Sequence, residues 1–239
     1  MQGASMTSAS DGNTGEQAAL PSRVRVGDAE VIVWPDGQRI EPLSAPLMAV
    51  TRFGDHSSYH PELSAAIAEM QSDPASRMWI FKGGCGLKVR RPDRWGKAAA
   101  DLIHGRALSL AHRTLSRSAV YTDDCWASVY REGQYCMPHS HLRANVSIVY
   151  MLDPGDSDPD DDMAGRLVFC DPRIPYCCPH EPGRATSLLL PEMREGTMIV
   201  FASDYVHSVN PYRGGRPRIT ISWNITVARL PGEAGEGWT

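Results

Sequence analysis

After Ser118 the chain becomes a succession of short segments, SAVYTDDCWASVYREG, VSIVYML, RLVFC, TSLLL, GTMIVFAS and RITISWNITV, set apart by turn-forming residues. They are rich in Val, Ile, Thr and aromatic residues, the composition of strands and not of helices. Consecutive strands joined by turns pair antiparallel and close into a sandwich, a barrel or a jelly roll. The 18 Pro and 21 Gly point the same way, because both residues punctuate short strands.

The first half reads differently. RVRVGDAEVIVW, from Arg23 to Trp34, alternates around Gly27-Asp28 and predicts two short strands joined by a turn. A further strand is expected from Ala45 to Phe53. HPELSAAIAEMQ then predicts a helix, with Pro61 in its first turn and Leu63, Ile67 and Met70 spaced along one face. A longer helix is expected from about Trp95 to Leu115. Helices followed by a long strand series suggest a mainly β fold, a jelly roll buttressed by N-terminal helices. The pattern alone does not separate this from a plain β-sandwich.

At 239 residues, 42% of them hydrophobic, the chain suits one large β-rich domain with a sizeable core. We expect that domain at 23–229, divided into N-terminal strands and helices (23–117) and a jelly-roll core (118–229). A disordered polar tail is expected at 1–22 and a C-terminal tail at 230–239. The formal charge of −4 comes without a clustered basic run, which argues against a nucleic-acid partner. No stretch of eighteen apolar residues spans a membrane, and the N-terminus lacks the charged and apolar regions of a secretory signal. With 6 cysteines and no such signal, reduced thiols in a cytoplasmic setting are the expectation.

Of 8 histidines, His139, His141, His180 and His207 cluster in the strand-rich half. His139 and His141 stand two apart before an apolar strand. In extended backbone such residues share a face, with Cα atoms roughly 6.5 Å apart. Their imidazoles can then converge on one ion at about 2.1 Å, as in other imidazole–metal bonds. A third ligand must come from elsewhere, and His207 follows another apolar strand, GTMIVFASDYV. Two ligands from one segment and a distant histidine make a facial triad with open positions. Taken alone, His-x-His is common and structural histidines are commoner than ligands; the surrounding pattern raises the metal reading.

From about Trp126 to Asn224 the chain resembles the 2-oxoglutarate/iron(II)-dependent oxygenases of the double-stranded β-helix superfamily, in a subgroup marked by His-x-His…His. The residues that carry the resemblance are HSH (139–141), GRLVFCDPR (165–173), HSV (207–209) and RITISWN (218–224), in the family's order and spacing. Residues 1–117 match only loosely. The resemblance implies iron(II) and 2-oxoglutarate as metal and cosubstrate, with O2 and a small-molecule substrate. It implies hydroxylation of an unactivated C–H of an amino acid or specialised metabolite, with release of succinate and CO2.

Carried over residue by residue, His139 is the first ligand, His141 stands where the family usually has a carboxylate, and His207 is the distal ligand. Arg218, with Thr220, is implied to hold the far carboxylate of 2-oxoglutarate, for which a planar guanidinium offers two parallel donors. Arg216 is its rival; alternation puts Arg218 on the face of Thr220 and Ser222. Tyr150 and Tyr130 correspond to strand tyrosines that line the cosubstrate pocket. His141 leaves the iron without a protein anion, so the complex with the dianionic cosubstrate would be neutral. Alternatively, His141 lies outside the coordination sphere and Asp171, Asp204 or water completes it.

Further candidates are weaker. Arg143, Asn145 and Arg173 lie near the motifs and could face substrate. Cys170, Cys177, Cys178 and His180 in CDPRIPYCCPH invite a zinc reading, but adjacent cysteines fit one tetrahedral ion poorly. Cys136, close to the ligand pair, is exposed to oxidation during uncoupled turnover. Two alternatives remain open: a three-histidine cupin-type dioxygenase that does not use 2-oxoglutarate, and a non-catalytic β-sandwich binding module.

Overall fold

The computed structural model describes residues 22–44, 48–78, 86–115, 120–141, 143–171 and 187–227. The tails expected at the two ends therefore lie outside the described residues, apart from Ser22. A short hairpin comes first, β1 (Arg23–Val26) and β2 (Ala29–Ile32). Its two-residue turn uses Gly27, whose φ of 58° is the left-handed value that glycine adopts freely. Strands β3 (Glu41–Ser44) and β4 (Met48–Arg52) follow, then helix α1 (His60–Ser72), β5 (Arg77–Met78), β6 (Leu87–Arg90) and helix α2 (Ala98–Leu115). The strand-rich half supplies β7 (Val120–Tyr130), β8 (Cys136–His139), β9 (Val146–Asp153), β10 (Leu167–Asp171), β11 (Ser187–Leu189), β12 (Thr197–Ala202), β13 (His207–Val209) and β14 (Arg218–Val227).

The fold is the mainly β double-stranded β-helix. An eight-stranded sheet runs β3-β4-β12-β9-β14-β7-β6-β5, and a four-stranded sheet runs β11-β10-β13-β8, with all neighbours antiparallel. Because side chains alternate along a strand, the central strands of the large sheet feed two cores. Ile148, Tyr150, Leu152, Met198, Val200, Ile221 and Trp223 face the helices, where they join Leu63, Ile67, Leu102 and Ile103. Val149, Ile199 and Phe201 face the small sheet and meet Leu167, Phe169 and Val209. The second core is the smaller one, and the cleft opens beside it.

Helix α1 buries Leu63, Ala66 and Ile67, close to the expected stripe, with Met70 only partly covered. Helix α2 starts at Ala98, three residues later than expected. A 3-10 turn occupies Pro92–Arg94, and Gly96 has φ 63°, so the backbone cannot be helical through Trp95 and Gly96. Helix α2 is fastened by Arg106, a fully buried cation. It donates to both oxygens of Asp55 at 2.6 and 2.9 Å, to the Tyr59 hydroxyl at 2.9 Å, and to the carbonyls of Val33 and Ile32. Among the described residues no helix is long and apolar enough to cross a membrane.

Candidate active site

His139 is the last residue of β8 and His207 the first of β13, and the two are direct cross-strand partners. His141 lies two residues beyond β8, held by its backbone N–H donating to the Ser203 carbonyl at 2.7 Å. The three rings close on one another, with centroids 4.3 Å (His139–His207), 5.0 Å (His139–His141) and 5.2 Å (His141–His207) apart. Each offers a nitrogen, and these nitrogens all lie within 4.8 Å of one another.

Two rings are oriented by backbone. His139 Nδ1 donates to the Met137 carbonyl at 2.8 Å, and His207 Nδ1 donates to the Tyr205 carbonyl at 2.9 Å. Nε2 is therefore the nitrogen left in each to face a metal, the arrangement in which outer partners fix the ligating tautomer. His141 Nδ1 is 3.3 Å from the side-chain amide of Asn224, whose other end meets Ser147 Oγ, which in turn lies 2.9 Å from Ser203 Oγ. Burial holds the imidazoles neutral, pushing His207 down to about 3 and His141 to about 4, and lowering His139 as well. Neutral imidazole is the form that binds metal.

The same cleft contains Arg218. It is 3% exposed, and its Nη1 is buried with no hydrogen-bond partner among the described residues; its guanidinium carbon sits 5.4 Å from the centre of the Tyr130 ring. Thr220 and Ser222, on the same face of β14, line the cleft beside it, as does Tyr130. A buried cation left unpaired is costly, and an anionic ligand is the natural compensation. Arg216 is placed otherwise. It is exposed and pairs with Asp156 at 2.8 Å and with Asp153 at 3.3 Å. The inner cleft around Arg218 and the rings has about 40 Å3 of free space, and an outer part about 460 Å3.

The expectation for Tyr150 is corrected. Strand alternation turns Val149 into the cleft and Tyr150 to the helix side, where its hydroxyl lies 2.6 Å from His60 Nε2 and 2.9 Å from the Tyr59 hydroxyl. A second group of possible ligands, His56, His60 and Glu195, stands on that side. Arg143 and Asn145 do not line the cleft; the Asn145 side chain accepts from the Val227 backbone instead. Asp204 is exposed and outside the histidine group. Arg173, Cys177, Cys178, His180 and the side chain of Asp171 lie outside the described residues, so the zinc reading does too. Lys88, Trp126, Ser147 and Asn224 line the cleft without having been singled out from the sequence.

Residues 124–224 match the family described as "Putative 2OG-Fe(II) oxygenase". That stretch belongs to the 2OG-Fe(II) oxygenase family. Iron(II) and 2-oxoglutarate are the metal and cosubstrate of the family, and the neutral imidazole group and the buried guanidinium fit both. Members of that family are oxidoreductases with O2 as oxidant. No curated protein matches the sequence. Among solved structures, the oxygenase fold is similar to the non-heme alpha ketoglutarate dependent epimerase SnoN from nogalamycin biosynthesis (TM-score 0.57, 14% identity, 78% of this chain and 84% of that one). It is also similar to the carbocyclase SnoK from the same biosynthesis (0.60, 11%, 80% and 89%). A prolyl hydroxylase from Trichoplax adhaerens, in complex with a peptide fragment of hypoxia inducible factor, shares the fold as well (0.53, 15%, 74% and 83%). At these identities the likenesses bear on the fold alone.

Proposed function

We propose that this chain, with residues 23–229 acting as one domain, hydroxylates an unactivated C–H of a small molecule, an amino acid or specialised metabolite. In this reading His139, His141 and His207 hold iron(II), and Arg218 and Thr220 hold the distal carboxylate of 2-oxoglutarate, with Tyr130 against them. The observation that carries it is the meeting, in one cleft, of three neutral imidazoles and a buried guanidinium with an unpaired Nη1. A cupin-type oxygenase that does without 2-oxoglutarate would leave that guanidinium without a counter-charge.

Bound together, iron(II) and 2-oxoglutarate supply a two-electron oxidation coupled to decarboxylation. The balance is R–H, O2 and 2-oxoglutarate on one side, and R–OH, succinate and CO2 on the other. The chain's own work is positioning and exclusion of water. The backbone carbonyls of Met137 and Tyr205 fix two rings. Phe201 and Phe169, whose ring centres lie 4.9 and 5.7 Å from that of His207, keep its far side dry. Arg218 offers paired donors to a carboxylate and the Thr220 hydroxyl offers another. The inner space of about 40 Å3 is too small for 2-oxoglutarate as it stands, so its entry requires lining side chains such as Arg218 and Tyr130 to part. Three histidines and no carboxylate leave the metal and the dianionic cosubstrate to balance one another's charge.

The test is anaerobic reconstitution. One iron(II) per chain is expected to bind, 2-oxoglutarate to bind only after it, and succinate to appear once O2 is admitted. His139→Ala and His207→Ala should lose the metal, and Arg218→Gln should weaken 2-oxoglutarate roughly tenfold to a hundredfold. Retention of iron by both histidine variants, or no succinate across a broad substrate panel, would reject the proposal.

A further inference from the structure

The group of His56, His60 and Glu195 lies apart from the cleft, on the other face of β9, where Tyr150 meets His60 while the adjoining Val149 lines the cleft. His56 belongs to the 3-10 turn His56–Ser58, and His60 opens α1 four residues later, their ring centres 4.9 Å apart. Glu195 comes from the turn that leads into β12. Gly196, with φ 79°, lets that turn settle on His56: a Cβ there would stand 2.9 Å from His56 Cδ2 and 2.5 Å from the Phe53 carbonyl oxygen. Backbone bonds hold the turn in place. Phe53 N–H donates to the Gly196 carbonyl and Gly196 N–H to the Met151 carbonyl, each at 3.0 Å, and Arg52 Nε donates to the Glu195 carbonyl at 3.1 Å. One nitrogen from each ring and one carboxylate oxygen lie within 4.8 Å of one another.

As it stands the group is incomplete. His56 Nδ1 is buried and makes no hydrogen bond among the described residues, and Glu195 Oε2 is 3.9 Å from it, beyond hydrogen-bonding reach. A buried polar atom left so is costly, and a cation between the two would satisfy both. Asp55, the carboxylate next to His56 in sequence, is committed to Arg106 through both oxygens. His60 Nε2 is 2.6 Å from the Tyr150 hydroxyl, which leaves Nδ1 for a metal and gives the ring the outer partner that ligating histidines have.

We propose that His56, His60 and Glu195 form a second metal site, which takes zinc(II). Two imidazoles and a carboxylate suit zinc and select against magnesium and calcium, which prefer all-oxygen sites. Ligand atoms around a tetrahedral ion at about 2.0–2.1 Å stand roughly 3.3 Å apart, so the site must tighten slightly on binding. The Glu195 side chain, 46% exposed, has the freedom to swing in. Water takes the fourth position. The ion would clip the start of α1 to the turn before β12, fastening the helices to the large sheet. This site has no part in the cleft's chemistry and stands independently of the oxygenase reading.

The test uses the full chain with His139→Ala and His207→Ala, which takes the cleft out of the count, stripped of metal with a chelator. Zinc(II) is titrated calorimetrically, and bound zinc is counted by atomic emission after gel filtration. Adding His56→Gln or Glu195→Gln should each lower the count by one equivalent. Both alter partly exposed side chains, and circular dichroism checks that the fold persists. Tyr150→Phe should weaken that zinc roughly tenfold to a hundredfold and leave the count at saturation unchanged. The thermal midpoint should rise with added zinc, and rise less in the His56→Gln chain; magnesium should leave it where it was. Zinc held elsewhere does not respond to these substitutions, so a count unchanged by both would overturn the proposal, as would no zinc bound in the micromolar range. Failure of the cleft to load iron(II) leaves this count untouched and bears only on the oxygenase reading.

Discussion

Asn224 holds the His141 ring at its Nδ1 edge. Its amide nitrogen stands 3.3 Å from His141 Nδ1, and its Oδ1 accepts from Ser147 Oγ at 3.0 Å, which lies 2.9 Å from Ser203 Oγ. Without that chain His141 loses the contact that fixes its ring angle. Asn224→Ala is expected to weaken metal binding by about tenfold to a hundredfold with little change in folding, read by anaerobic titration. Alternation along RITISWN puts Arg218, Thr220, Ser222 and Asn224 on one face, so their shared side is legible from the sequence. That Asn224 meets a histidine 83 residues away is not, because only the closed fold brings them together. Tyr150 shows the limit from the other side. Alternation separates it from Val149, but which of the two faces the cleft depends on where the helices pack.

At the scale of elements, the His-x-His segment is the least regular part of the site. Strand β8 includes Pro138, which cannot donate to a ladder, and a sequence reading passes over so short and mixed a strand. Pro is tolerated there because β8 is the edge of the small sheet among the described residues. The helical buttress depends on Arg106, whose loss would strand Asp55 and two carbonyls. Arg106→Met should cost about 3 kcal/mol, the low end for breaking a buried pair because Asp55 is partly exposed; denaturant unfolding measures it. His60, at the start of α1, is held down to about 4 by burial and by His56. Its ordinary value is 6.5, so between about pH 4 and 6.5 an unfolded chain takes up a proton that the folded chain refuses. Stability therefore rises with pH across that window and falls as pH drops through it. His141 and His207 act in the same sense in metal-free protein. His60→Gln should flatten the pH dependence of the urea midpoint without abolishing it.

At the scale of the whole molecule, the two sheets have unequal support. The large sheet is backed by both helices and the larger core. The small one has four short strands and a core shared with the cleft. The strand series, the N-terminal helices and the pairing of His139 with His141 can be read from sequence, since each rests on local periodicity or spacing. The cleft's division into a tight inner part and an apolar outer part cannot. It arises from Lys88 on β6, Trp126 on β7 and Met137 on β8, three strands that only the sheet order brings together.

The pairing of His139 with His207 across β8 and β13 has a mechanical consequence. If both hold the proposed ion, it would act as a rivet through β8, which among the described residues is the outermost strand of its sheet. Chelation should let that margin fray. Deuterium uptake at the amides of β8 and β13 is expected to speed up when metal is stripped, while β9 and β14 keep their protection.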